Sequence, residues 1–321
     1  RSALFLPYKN LSLIIIDEEH DPSYKQQEPA PRYQARDTAI YYANQLNAKV
    51  VLGSATPSVE TFYNAKNKKF GYTYLNERFS QASLPKIELV DTKKQPANSA
   101  ILTPVLLAAI KKTIENKKQV ILFQNRRGYA PYFICESCGW IPHCKHCDVT
   151  LTYHKAKNML SCHYCGTGYP IVHTCEACGK NSFKQKSFGT EQIEEKLTLS
   201  LPGVHVARMD YDNVKGKNEH DHLIQQFEQK QIDILVGTQM VVKGLDFENV
   251  DLVGIVDADS LLNFNHYRVN ERAFQMMEQV SGRAGRKNDH GKVIIQVSQT
   301  QHPIVQYVKD HDYFAFYAFE I

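Results

Sequence analysis

The window CESCGWIPHCKHCDVTLTYHKAKNMLSCHYCGTGYPIVHTCEAC, residues 135–178, contains all eight cysteines of the chain. They form four Cys-x-x-Cys pairs: Cys135/Cys138, Cys144/Cys147, Cys162/Cys165 and Cys175/Cys178. Two residues between thiolates is the spacing at which a tight knuckle turns both sulfurs toward one tetrahedral metal. Gly139, Gly166 and Gly179 follow three of the pairs and relax such a turn. Four pairs complete two four-thiolate zinc sites. A disulfide scaffold would suit a small secreted domain, whereas these cysteines occupy one window of a long chain.

Four pairs can share two metals as neighbours, interleaved or nested. Val149-Thr-Leu-Thr-Tyr153 reads as a strand, Lys155-Ala-Lys-Asn158 as a turn and Met159 onward as the return strand. That hairpin carries an inner cysteine pair at each open end, as in a zinc ribbon, and so favours nesting. Cys135, Cys138, Cys175 and Cys178 then hold the first zinc, and Cys144, Cys147, Cys162 and Cys165 the second. Sites closed by four protein ligands leave no position for water or substrate, so both zincs are expected to be structural. His143, His146, His154, His163 and His173 are surplus to eight thiolates and read as surface residues. Trp140 and Tyr164, if exposed, suit stacking or a partner surface, with packing over the metals the favoured reading for either. Lys145, Lys155 and Lys157 balance Glu136, Asp148 and Glu176, so the window lacks the basic excess of a phosphate-gripping module.

The whole chain of 321 residues has room for two or three domains. Its 43% hydrophobic and 22% charged residues exclude disorder, and without a run of eighteen apolar residues no membrane partner is expected. A net charge of +4 permits nucleic acid as a partner without demanding it. Reduced, metal-binding cysteines point to the cytoplasm.

Outward from the window the chain has an α/β pattern. On the upstream side, Thr103-Pro104 is an N-cap and first-turn pair opening a helix with Leu107, Ile110 and Ile114 on one face. Val120-Ile-Leu-Phe123 then starts a lobe, ending in Gln124-Asn-Arg-Arg-Gly128. Downstream of Phe188, Thr190 is the expected N-cap of a helix with an acidic first turn. Ile232–Val236 is a strand leading into Gly237-Thr-Gln-Met-Val-Val-Lys-Gly-Leu-Asp246, and Leu252–Val256 a strand leading to Asp257-Ala-Asp259. A helix from Glu271 runs into Gln279-Val-Ser-Gly-Arg-Ala-Gly-Arg286, whose glycines allow a tight turn holding Arg283 and Arg286 at fixed separation.

Further upstream, Leu13-Ile-Ile-Ile16 is a short continuous apolar run, the pattern of a parallel strand covered on both faces. Asp17-Glu-Glu-His20 follows it. Carboxylates at the end of such a strand sit where one can hold Mg²⁺ and its neighbour polarise water. Val50-Val-Leu52 is a second buried strand, ending in Gly53-Ser-Ala-Thr-Pro-Ser58. Between the two lies Tyr24-Lys-Gln-Gln-Glu-Pro-Ala-Pro-Arg-Tyr33, aromatic, basic and too rich in proline for a helix, then a helical pattern from Ala35 to Leu46. Beyond Phe79 a stretch rich in Pro, Lys and Asn, to Ser99, reads as the passage between lobes.

In order and separation these segments resemble the motifs of superfamily 2 nucleic-acid helicases. Asp17-Glu-Glu-His20 resembles motif II (Walker B), and Ser54-Ala-Thr56 motif III. Gln124–Gly128 resembles motif IV, Gly237–Asp246 motif V, and Gln279–Arg286 motif VI. The resemblance assigns Asp17, Glu18, His20, Gln279, Arg283 and Arg286 to catalysis. It places Asp17, Glu18, Ser54, Thr56, Gly244, Asp246, Arg283 and Arg286 around ATP and Mg²⁺. The 24–33 segment resembles the aromatic-rich loop that couples DNA binding to ATP hydrolysis. Tyr24, Tyr33, Arg126, Arg127 and Thr238 are accordingly assigned to DNA binding or coupling.

A two-zinc insertion in the second lobe, with this motif II and motif VI, is similar to the primosomal replication-restart DNA helicases over essentially the whole chain. The resemblance implies two Zn²⁺ and an ATP-driven 3′ to 5′ DNA helicase that binds stalled or branched forks and single-stranded DNA. It also implies primosome proteins and single-strand binding protein as partners, with primosome assembly and replisome reloading as the outcome. The expected fold is α/β: RecA-like helicase lobes with parallel sheets, the first truncated, plus the ribbon-like insertion. Residues 1–80 would be the C-terminal part of lobe 1 and 81–100 the inter-lobe passage. Lobe 2 would comprise 101–134 and 179–310 around the zinc module at 135–178, with 311–321 starting a C-terminal domain.

The chain departs from the family pattern in what it lacks: beside the P-loop, the family's N-terminal DNA-binding and winged-helix domains are expected to be missing and its C-terminal domain barely begun. No Gly-x-x-x-x-Gly-Lys-[Ser/Thr] occurs in it, so the phosphate-cradling P-loop is missing. It opens on Arg1 and ends on the apolar run Tyr313–Ile321, and both ends read as cut. The expectation is a fragment that does not hydrolyse ATP by itself. The competing readings are a zinc-ribbon interaction scaffold on an inactive fold and an RNA helicase of the same superfamily.

Overall fold

The computed structural model describes residues 1–75, 83–96, 101–125, 132–147, 149–154, 158–162, 165–186, 189–210, 217–241, 247–263, 266–285 and 291–321. Two compact units make up the chain, Arg1–Leu75 and Asn76–Phe319.

In the first unit β1 (Leu13–Ile16) pairs in parallel with β2 (Lys49–Leu52), joined through α1 (Ala35–Gln45) and followed by α2 (Val59–Lys66). Ser58 caps α2 by accepting the Thr61 N–H, and Ala35, Ala39 and Ala43 form the buried stripe of α1. The apolar run of β1 is not covered on both faces as its sequence suggests. Ile16 is buried, but Ile15 is 68% exposed, and Leu13 and Val51 share its open face. A run of isoleucines reports that both faces are apolar, not that both are occupied.

The second unit is built on a six-stranded sheet. Its elements in chain order are β3 (Lys86–Asp91), α3 (Pro104–Glu115), β4 (Gln119–Phe123), β5 (Tyr132–Cys135), β6 (Thr152–His154), β7 (Met159–Ser161), β8 (Gly168–Tyr169) and β9 (Phe183–Lys186). There follow α4 (Thr190–Ser200), β10 (Val206–Met209), α5 (Lys217–Glu228), β11 (Ile234–Gly237), β12 (Val250–Ile255), α6 (Asp259–Leu262), α7 (Val269–Ser281), β13 (Lys292–Val297), α8 (Pro303–Lys309) and α9 (Tyr313–Glu320). The order is β10-β11-β4-β12-β13-β3, all parallel, with Gly237, Phe123, Ile255, Ile295 and Leu89 in register. Its central strand β4 is buried throughout, as its continuous apolar run requires.

Edge strand β3 lies inside the stretch that reads as an inter-lobe passage. Its Ile87-Glu-Leu-Val90 core is short and flanked by Pro, Lys and Asn, which mask it in sequence. Helix α3 starts where Thr103 accepts the Leu106 N–H, and it buries Leu106 and Ile110, with Leu107 and Ile114 partly covered. A side chain at Gly254 would press within 2.6 Å of Leu122, so glycine lets α3 lie close on β12 and β4. Helix α4 is capped by Gly189, not Thr190. The buried Thr190 hydroxyl instead donates to Asp210 at the end of β10.

The cysteine window forms a ribbon rooted in this unit. Strands β5 and β9 pair antiparallel at its base, and β6, β7 and β8 form a three-stranded antiparallel sheet. The expected return strand is thus present, and of the expected turn only Asn158 lies within the described residues. Phe133 packs edge-on against Tyr153 with ring centres 5.0 Å apart, joining base to ribbon, and Trp140 packs on Phe183.

Candidate active site and metal centres

Motif II occupies the turn that leaves β1. Glu18 has φ +49°, its N–H donates to Asp17 Oδ1, and its carboxylate lies 3.6 Å from His20 Nδ1. His20 Nδ1 is hydrogen bonded to Ser54 Oγ at 2.7 Å, and the same hydroxyl accepts the Thr56 N–H. Motifs II and III are therefore one continuous polar site at the carboxyl ends of β1 and β2. The structure brings Asp17, Glu18, His20, Ser54 and Thr56 together there.

Glu19 is a residue that the sequence does not distinguish. It is 1% exposed, accepts Ser58 N–H at 2.6 Å and pairs with Arg36 at 2.8 Å. Burial opposes the charge on Arg36, but hydrogen bonds to Asp37 and Glu19 outweigh it and hold its pKa above the ordinary arginine range. Nothing in a four-residue acidic run marks which carboxylate is buried, and Arg36 is too distant in sequence to signal the pair.

The 24–33 loop is tied to motif II. Tyr24 Oη donates to the Asp17 carbonyl at 2.7 Å, and burial, then the charges of Asp21, Asp17 and Glu18, raise its pKa. Gln26 bridges the Pro29 and Pro31 carbonyls, Lys25 pairs with Gln34, and Tyr33 packs edge-on against Phe5.

In the second unit the expected site residues separate to opposite ends of the sheet. Thr238 is buried at the carboxyl end of β11, beside Gln124, whose N–H donates to the Gly237 carbonyl at the end of β4. Gln279 lies on α7, and Arg283, 8% exposed, lies in the turn after it. Gly285, at φ +63°, closes that turn by donating to the Val250 carbonyl at the amino end of β12. Arg126, Arg127, Gly244, Asp246 and Arg286 lie outside the described residues.

The eight thiols gather into the two nested groups, Cys135/Cys138/Cys175/Cys178 and Cys144/Cys147/Cys162/Cys165, each with all sulfurs within 4.8 Å of one another. Sulfur separations of 3.6 Å (Cys135 to Cys178), 3.5 Å (Cys138 to Cys175) and 3.7 Å (Cys144 to Cys165) are far beyond a disulfide, and all eight cysteines are free. They match the edge of about 3.8 Å that four sulfurs about 2.3 Å from a zinc ion define. The donor set therefore fits two Zn²⁺. The four knuckles repeat one backbone pattern: Cys135, Cys144, Cys162 and Cys175 donate N–H to the carbonyls of Trp140, Val149, Thr167 and Lys180.

Two further supports were invisible in sequence. Tyr169 Oη lies 3.2 Å from Cys144 Sγ and accepts the Lys145 N–H. Burial raises the Cys144 thiol, but the Tyr169 hydroxyl and the backbone N–H groups of His146 and Cys147 outweigh it and draw it down to about 6, toward the thiolate a metal needs. At the outer group, Lys93 donates to the Cys138 carbonyl and Gln299 to the Gly139 carbonyl, seating that knuckle on the ends of β3 and β13.

Comparison with known proteins matches residues 181–288 to the family described as "Helicase conserved C-terminal domain" and 144–167 to "PriA DNA helicase Cys-rich region (CRR) domain". Across its full length the chain is 43% identical to the Replication restart protein PriA of Bacillus subtilis (strain 168). The chain belongs to the PriA family. The PriA of Haemophilus influenzae is 42% identical over 98% of the chain. The chain spans 40% of the Bacillus PriA, 43% of the Haemophilus PriA and 50% of the PriA of Rickettsia felis. A solved structure described as RecG bound to a three-way DNA junction aligns over 98% of this chain and 30% of its own. At TM-score 0.50 and 14% identity it is a likeness of fold alone. Within this PriA-family chain the helicase C-terminal match falls inside the second unit, and the Cys-rich match spans all four cysteines of the inner group.

Proposed function

We infer that the full-length protein is an ATP-dependent 3′ to 5′ DNA helicase of replication restart, binding stalled or branched forks and single-stranded DNA. It acts with primosome proteins and single-strand binding protein to reload the replisome in the cytoplasm. Asp17 would hold Mg²⁺, which would neutralise phosphate charge, while Glu18 orients and deprotonates the attacking water. Arg283 and Arg286 reach the γ-phosphate, Gln279 supports them, and Ser54, Thr56, Gly244 and Asp246 complete the nucleotide surround. Tyr24, Tyr33, Arg126, Arg127 and Thr238 serve DNA binding or coupling. The separation of Thr238 from the Gly285 turn supports a division of the second unit into a DNA-facing and a nucleotide-facing end. Both zincs are structural.

The observation that carries the reading is the 2.7 Å link from His20 to Ser54, in a chain of the PriA family. It joins the carboxylates that would act on ATP to the motif that reports on nucleic acid. The test is ATP hydrolysis by the full-length protein with and without DNA or RNA. Stimulation by DNA is expected. Preferential stimulation by RNA would make it an RNA helicase, and no hydrolysis under any condition would make it a zinc-ribbon scaffold.

A further inference from the structure

Five of the non-glycine residues with positive φ among the described residues, Asn47, Lys68, Lys117, Lys230 and His311, follow helix C-termini, where that conformation is common. Asn10 and Asn158 belong to a residue type that tolerates it. Glu18, at φ +49° in the turn that leaves β1, is the remaining case. A side chain held there persists only when its surroundings over-determine it.

Those surroundings converge on the next residue. Glu19 N–H donates to the Gly53 carbonyl at 3.1 Å, fixing the chain on one side of Glu18, and Asp17 Oδ1 takes the Glu18 N–H on the other. The Glu19 carboxylate accepts from Ser58 N–H at 2.6 Å, Ser58 Oγ at 3.1 Å, Thr61 Oγ1 at 3.0 Å and Arg36 Nη1 at 2.8 Å. One buried side chain thus joins the turn after β1 to the cap of α2 and the start of α1.

We propose that Glu19, paired with Arg36, is a positioning residue that holds Glu18 in the conformation from which it acts on the attacking water. This rests on the reading of Asp17 and Glu18 as nucleotide-site carboxylates. Glu19 has no route to the nucleotide itself, being enclosed by its four donors.

Glu19→Gln tests it with little change of shape. Ser58 N–H and Arg36 can only donate, so an amide sets an N–H against one of them, while Arg36 keeps its 2.7 Å contact with Asp37. The double variant Glu19→Gln/Arg36→Met removes both charges and guards against an unpaired guanidinium. In the full-length protein with DNA, kcat should fall about tenfold in either variant, the loss of one charge-assisted hydrogen bond. KM for ATP and the affinity for a fluorescent ATP analogue should stay within about twofold. Wild-type kcat in either folded, zinc-replete variant overturns the proposal, as does nucleotide affinity that weakens in step with kcat, which would mark a merely structural pair. Absence of ATP hydrolysis in the wild-type protein overturns the underlying reading instead, and the proposal with it.

Discussion

Three adjacent carboxylates and a histidine meet different environments within one turn. Asp17 is exposed, and the Glu18 side chain is 41% exposed, His20 5% and Glu19 1%, so of the three carboxylates only Asp17 and Glu18 are open to a substrate. Glu18→Gln in the full-length protein should therefore retain nucleotide affinity while turnover falls by about 10² or more, the contribution typical of a general base. A nucleotide titration alongside a steady-state ATPase assay separates the two. Arg286→Ala should lower kcat by about 10³, the lower range for an arginine that stabilises phosphoryl-transfer charge. A variant at either position with unaltered turnover would remove that residue from the mechanism. The contact between Ser54 and His20 is written in geometry rather than in sequence, since only folding brings the two together.

At the scale of elements, the ribbon is where paired substitutions are most informative. Cys144 and Cys162 belong to one group of four, so Cys144→Ser and Cys162→Ser should each release the same zinc, and the double variant should lose no more. Zinc counting on the three variants checks this, and two different zincs lost would break the nested pairing. Gly139→Ala should loosen the outer knuckle from β3 and β13, because φ is +80° there and a Cβ would stand 3.2 Å from Lys93 Nζ and 3.3 Å from Gln299. Hydrogen exchange should rise at Gly139 and its neighbours while the inner group keeps its protection. In the sheet, Thr103→Ala should cost about 1 kcal/mol in denaturant unfolding through loss of the α3 cap. The ribbon and β4 were legible because their signals are local: cysteine spacing, alternation in the hairpin, an unbroken apolar run. β3 was not, since a short strand paired to β13 more than two hundred residues downstream is specified by its partner, not by its own composition. Thr190 read as a cap for a similar reason: hydroxyls serve caps well, and only the return of β10 supplies Asp210 as the competing acceptor.

At the scale of the whole molecule, the six-stranded sheet carries a ribbon whose small buried cluster includes two of its own metal-site thiols. The ribbon buries Leu151 and Leu160 with Cys144 and Cys162 as its cluster, whereas structural zinc contributes about 10 to 16 kcal/mol in isolated finger peptides. Removing zinc with a chelator should therefore unfold the ribbon before the sheet, with ribbon amides exchanging while β4 and β12 stay protected. The 321 residues contain no P-loop, so alone they should show no ATP turnover even with DNA; measurable DNA-stimulated hydrolysis by this chain would contradict that. The most direct measurement of the account is the zinc content of the purified chain. Two nested four-thiolate groups on the lobe require two zinc ions per chain with all eight cysteines reduced. One zinc per chain, or cysteines recovered as disulfides, would contradict it.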